Sequence, residues 1–171
     1  MSAVLDPFVA IDFETANERP DSACAVALVR VEEGQIVRKE VCLIRPGSER
    51  FTFTGIHGIT WAQVRAERPF AEVWAAVQDI VAGARHLAAH NASFDKRVLR
   101  ACCESAGLAV PALPFVCTVQ VARRVWNIRP TRLPDVCRVL SIGLTHHDAA
   151  SDAEACARIL VEASQRGWRP S

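Results

Sequence analysis

Residues 8–15, FVAIDFET, carry the reading that decides the fold. Phe8, Val9, Ala10, Ile11 and Phe13 form a short apolar run with a β-branched and aromatic bias, which predicts a buried strand. Two carboxylates, Asp12 and Glu14, are set into it. Side chains alternate along a strand, so both acids project from one face. Ionised side by side on a buried strand, they repel each other and lose hydration. Two readings are open at this point. Either the strand end reaches solvent and both acids are exposed, or divalent cations with oxygen ligands compensate the charge.

Working outward, a polar turn at 17–21 leads to a second strand, Ser22 to Val31, and Glu33-Gly34-Gln35 signals a hairpin. A third strand, Ile36 to Ile44, closes an antiparallel meander. A loop follows over Phe51 to Thr60. Thr60 is positioned to cap a short helix from Trp61, and Phe70 to Ala82 reads as an amphipathic helix. From His86 the pattern alternates. A short strand, His86 to Ala89, precedes a helix capped by Ser93 that runs to about Ala106, where Gly107 stops it. Another short strand spans Phe115 to Thr118. Helices are predicted over Val119 to Trp126, Pro134 to Leu140 and Ala149 to Ser164. A meander followed by strand–helix alternation implies an α/β fold: one mixed sheet of five strands, parallel in its second half, with helices on both faces.

Two further acids fall on inward faces. Asp95 shares a helical stripe with Val98, Leu99, Cys102 and Ala106. Asp152 aligns with Ala149, Cys156 and Ile159. An acid in a first helical turn is favoured by the helix dipole, which explains an Asp at either place but not its position on the apolar stripe. Asp12, Glu14, Asp95 and Asp152 together carry a charge of −4. Two Mg²⁺ would balance it and still bind a phosphate, so the reaction class is metal-assisted phosphodiester hydrolysis. The segment HHDAASD places His146 and His147 beside Asp152 as candidate bases.

The 171 residues are expected to form one domain, 1–171, large enough to bury a full core. With 50% hydrophobic and 23% charged residues the composition is that of a globular chain, and a net charge of +1 gives no global field for nucleic acid. Arg123, Arg124, Arg129, Arg132 and Arg138 cluster late in the chain, either to follow a phosphate backbone or as a solvated face. Seven cysteines without a CxxC pair read as reduced thiols, mostly in the core, of a cytoplasmic protein, and structural zinc is not expected. Neither a signal peptide nor a membrane span is read.

AIDFET, HNASFD and HHDAASDA resemble, in order, the three motifs of the DEDD superfamily of 3′–5′ exonucleases. HGIT, Cys117-Thr118 and RLPDV also look like sequences of the polymerase III epsilon type. The resemblance implies a ribonuclease-H-like fold and two divalent cations, Mg²⁺ with Mn²⁺ as a substitute, held by Asp12, Glu14, Asp95 and Asp152. It implies His147 as the general base, because a His five residues before the last Asp marks the DEDDh branch, and the chain has no Tyr for the other. It sets Thr15 and Ala16 near the terminal 3′-OH, and His57, Ile59 and Phe94 beside the last nucleotides. Ile59 and Phe94 fit core packing equally well. The implied substrate is nucleic acid with a free 3′ end, DNA favoured and RNA possible. Nothing in the sequence indicates a DNA polymerase partner or a homodimer; a proofreading module that mainly binds a polymerase and an RNA-trimming exoribonuclease are the alternative readings. Local geometry also favours His147. Asp148 is expected to cap the last helix, leaving His147 just outside it, and in an extended segment His146 would point the other way.

Overall fold

The computed structural model describes residues 5–171. The apolar run at the start becomes β1 (Phe8–Thr15), followed by β2 (Ala23–Glu32) and β3 (Gln35–Leu43). Glu33 and Gly34, both at positive φ (50° and 78°), make the two-residue turn between β2 and β3, a turn whose twist matches that of paired strands. β4 (His86–Ala89) and β5 (Phe115–Cys117) complete a five-stranded sheet of order β3-β2-β1-β4-β5. β1 runs antiparallel to β2 and parallel to β4, so the acid-bearing strand is central. This is the mixed sheet read from the sequence.

Among the described residues, seven helices surround the sheet: α1 (Thr54–His57), α2 (Trp61–Val64), α3 (Phe70–Val77), α4 (Ala92–Ser105), α5 (Thr118–Trp126), α6 (Leu133–Leu140) and α7 (Ala149–Gln165). The alternation of β1 divides the core in two. Phe8 and Ala10 pack with Val121 of α5, Val136 of α6 and Cys156, Ile159 and Leu160 of α7. Val9, Ile11 and Phe13 pack with Val73 and Trp74 of α3 and Val98 and Leu99 of α4. Asp12 and Glu14 therefore continue the Phe8–Ala10 face towards α7. Ile159 is fully buried there, and Ile159→Ala would cost about 2–5 kcal/mol through lost burial and a cavity.

Three local expectations are corrected. The helix expected over 70–82 is α-helical only to Val77 and tightens into a 3₁₀ turn over Gln78–Val81. Arg30 Nη1 takes the carbonyls of Ile80 and Ala82 (2.6 and 2.7 Å), satisfying the helix end from outside. The expected loop at 51–60 contains α1, closed by Gly58 at φ 78°, whose N–H donates to Thr54 O at 2.7 Å. Ser93 does not cap α4. Asn91 holds that position in the left-handed region (φ 63°), which Asn tolerates better than most residues, and Ser93 lies inside the helix.

Candidate active site

The end of β1 brings Asp12 and Glu14 to the first turn of α7, where Asp152 is 5% exposed. Asp12, Glu14 and Asp152 each present a carboxylate oxygen, and these oxygens all lie within 4.8 Å of one another. Asp95, in the first turn of α4, stands outside this triple. Its Oδ1 accepts the N–H of Phe13 at 2.9 Å, tying α4 to the strand between the two acids. Asp12 Oδ2 is buried and has no hydrogen-bond partner among the described residues. A buried carboxylate oxygen without a donor is costly.

The electrostatics follow from that crowding. Burial, then the charges of Asp95, Asp152 and Glu14, hold the Asp12 carboxyl well above the usual carboxylate range. Burial is also the main cause for Glu14, pushed up to about 7 with help from Asp152 and Asp148. It takes Asp95 to about 8, against the hydrogen bond from Phe13. Asp152 is raised by burial too, opposed chiefly by His146. Without counter-charge these groups retain protons, and divalent cations are the natural replacement. The all-oxygen triple suits a hard cation, and the orphaned Oδ2 is an open ligand position.

The histidine pair departs from the expected geometry. Asp148 caps α7 as expected, its carboxylate accepting the N–H of Ser151 at 3.0 Å. His147 adopts φ 63°. This left-handed turn breaks the strand-like alternation and puts both rings on one side, stacked with centroids 3.7 Å apart. His146 does not point away. Its Nδ1 lies 3.3 Å from Asp152 Oδ2, while His147 reaches the same carboxylate through its backbone N–H at 3.2 Å. His146, His147 and Asp152 offer a second group of ligand atoms within 4.8 Å. Burial, then His146, lowers the His147 pKa, so its ring is neutral at neutral pH and keeps a lone pair for a proton.

The other expected residues separate. His57 sits at the end of β1: Nε2–H donates to Thr15 O at 2.9 Å and Nδ1 accepts the N–H of Ile59 at 3.1 Å, which fixes the tautomer. Thr15 is buried. Ala16 is fully buried, its N–H bonded to Ser22 O and its carbonyl taken by Thr52 and Phe53. It thus offers a substrate no side-chain surface; its place is to anchor the segment that carries His57. Phe94 is half-buried and lines an open cleft of about 740 Å³ that also holds Asp12, Glu14, Asp152 and both histidines. Arg123, Arg129, Pro130, Arg132 and Leu133 line the same cleft. Arg124 and Arg138 do not line it. His90, also in the cleft, was given no role by the sequence reading. It stands at the head of HNASFD, and only its contacts across the fold reveal what it holds.

A mixed five-stranded sheet with four converging carboxylates and a histidine at the last of them defines a nuclease of ribonuclease-H-like fold. The exonuclease family model of the RNase T type matches residues 9–160, and the chain belongs to that family. It is 32% identical over 171 residues to exodeoxyribonuclease 10 of Escherichia coli K12, covering 92% of this chain and 69% of that protein. It is 30% identical to DNA polymerase III PolC-type of Thermotoga petrophila over 158 residues, 90% of this chain but only 12% of that protein. The structure of exonuclease X in complex with 5′ overhanging duplex DNA matches with a TM-score of 0.75 and 29% identity, covering 95% of this chain and 94% of the other. The family uses divalent metal ions. Among the described residues no helix is long and apolar enough to cross a membrane.

Proposed function

We propose that this chain hydrolyses the terminal phosphodiester at the 3′ end of a nucleic acid strand and releases nucleoside 5′-monophosphates, with DNA as the favoured substrate and two Mg²⁺, replaceable by Mn²⁺, as cofactors. The observation that carries the reading is the buried, unpartnered Asp12 Oδ2, set among carboxylates within 4.8 Å. Asp12, Glu14 and Asp152 would hold the ions, with Asp95 the fourth acid of the set. The ions supply positive charge for both the attacking and the leaving oxygen of an in-line displacement. His147, neutral and beside Asp152, takes the proton from the attacking water. Phe94 supplies an apolar surface in the cleft for the last base. Thr15, His57 and Ile59, joined by the two hydrogen bonds of the His57 ring, are the group assigned to the 3′ terminus. DNA is favoured because exodeoxyribonuclease 10 and the DNA-bound exonuclease X, at 32% and 29% identity, are more similar in sequence than the 3′-exonucleases bound to rAMP or recognising a histone mRNA stem-loop, at 20% and 21%.

The test uses 5′-labelled single-stranded DNA, duplex DNA and RNA, each with Mg²⁺, Mn²⁺ or a chelator. Stepwise shortening with either metal, its loss in chelator and an intact closed circular single strand are expected. Cleavage of the circle would make the enzyme an endonuclease and overturn the reading.

A further inference from the structure

One wall of the same cleft is a loop, residues 128–132, held by a network that the proposed chemistry does not use. Thr131 is its hub. Its hydroxyl donates to Ile128 O and accepts from Arg123 Nε, both at 2.9 Å. Its carbonyl lies 2.9 Å from His90 Nε2, and His90 Nδ1 lies 2.8 Å from Thr118 Oγ1. A carbonyl only accepts, so His90 Nε2 carries the proton and Nδ1 receives the hydroxyl of Thr118. His90 thus joins the end of β4, the start of α5 and this loop. The sequence puts His90 five residues before Asp95, so the side chain that holds the loop leaves the chain just before the helix that carries an active-site acid.

Three arginines line this wall, and their commitments differ. Arg123 is spent on Thr131. Arg132 Nε bonds Asp135 Oδ2 at 2.8 Å. Arg129 makes no hydrogen bond or ion pair with any described residue, yet it lines the cleft that holds the carboxylates. We propose that the 128–132 loop is the wall that binds the substrate strand upstream of the scissile bond, with Arg129 contacting a backbone phosphate and His90 as the residue that positions the loop. An uncommitted guanidinium suits a phosphate, with charge and paired donors matching two oxygens. The strand's own negative charge could not lie along the acid wall, where only the reacting phosphate is compensated. This inference rests on the nuclease reading and deepens it.

The test separates strand binding from bond cleavage. Binding of a labelled single-stranded oligonucleotide is read by fluorescence anisotropy in Ca²⁺, across a salt series. Cleavage is read on the oligonucleotide and on thymidine 5′-(p-nitrophenyl phosphate), which has no upstream phosphate. Arg129→Ala is expected to weaken oligonucleotide binding about tenfold and to flatten the log Kd–log salt slope by about 0.7, the value for one phosphate on a single strand. Hydrolysis of the small ester should stay unchanged. Arg132→Ala should weaken binding less. His90→Ala should reproduce Arg129→Ala, adding Arg129→Ala to it should cost less than a further twofold, and His90→Gln, whose amide reaches the Thr131 carbonyl, should restore binding. An unchanged Kd and salt slope in Arg129→Ala would overturn the phosphate assignment. Equal loss on both substrates in His90→Ala would show that His90 acts on the reacting centre instead. If the parent chain cleaves neither substrate, the nuclease reading fails, while the anisotropy series still decides this one.

Discussion

Asp135 and Asp95 are the same side chain in the same kind of place, and they behave in opposite ways. Each lies in the first turn of a helix, α6 or α4, and they are 4% and 2% exposed. Each therefore receives the same help from its helix dipole. Asp135 is gripped by Arg132 and Arg138, both at 2.8 Å, and those hydrogen-bonded guanidiniums push its carboxyl down to about 2. Asp95 has one backbone N–H from β1 and carboxylate neighbours, and burial drives it up to about 8. Burial of an acid is therefore no mark of function by itself. A buried acid without counter-charge is, because the fold leaves a deficit that a ligand must fill.

The largest expected effect tests that contrast directly. Asp12→Asn should reduce hydrolysis to background while the metal-free protein melts at the same temperature or higher, since one of four crowded charges is gone. Asp135→Asn should do the reverse, lowering the melting temperature while cleavage stays within about twofold. Turnover assays and thermal melts in EDTA on both variants check this. If Asp12→Asn unfolds, the site acids are structural and the contrast collapses.

A smaller effect separates the two histidines. His147→Ala should lower turnover about 10²-fold or more at neutral pH, the usual worth of a general base. His146→Ala, harmless if the segment were extended, should instead cost about tenfold. Its ring supports His147 by stacking and sits against Asp152, the proposed metal ligand, and groups that orient such a ligand are typically worth that much. Turnover at saturating substrate across pH distinguishes them: the acidic limb should vanish in His147→Ala and persist in His146→Ala. A normal His147→Ala enzyme would move the base to His146.

The acids and the sheet were legible because each rests on a local period. Alternation put Asp12 and Glu14 on one face, and the helical stripes put Asp95 and Asp152 on inward faces. The histidine geometry was not legible, because one left-handed residue, His147, reverses the alternation and nothing but the fold imposes it. The arginine cluster read as one patch of five. It divides by partners: Arg138 and Arg132 to Asp135, Arg123 to Thr131, Arg129 to none among the described residues. His90 holds residues 28 and 41 positions away, a distance no spacing rule covers. Ala16 fails for a similar reason, since Ser22, Thr52 and Phe53 close over it.

The smallest effect expected is a slope of stability with pH, and its sign differs between the two kinds of acid. A carboxyl whose folded pKa is raised binds a proton in the native state that the unfolded chain has lost. For Glu14 and Asp95, at about 7 and about 8 against ordinary values near 4, stability of the metal-free protein falls as pH rises from about 4 to 8. Asp135, lowered to about 2, contributes stability that is present above its ordinary value and lost as pH falls towards 2. His86, His90 and His147, all lowered by burial, add a slope that rises with pH up to about their ordinary value. Comparing variants with the parent cancels this histidine contribution. Asp12→Asn should flatten the decline between about pH 4 and 8 and leave the acid limb unchanged. Asp135→Asn should flatten the limb below pH 4 and leave the decline unchanged. Mg²⁺ should raise the parent's melting temperature more at pH 8 than at pH 5.5, where it competes with bound protons. Melting curves in EDTA and in Mg²⁺ across this range supply the measurement. A decline of the same steepness in Asp12→Asn and the parent would mean that the site acids are already compensated within the protein, as Asp135 is.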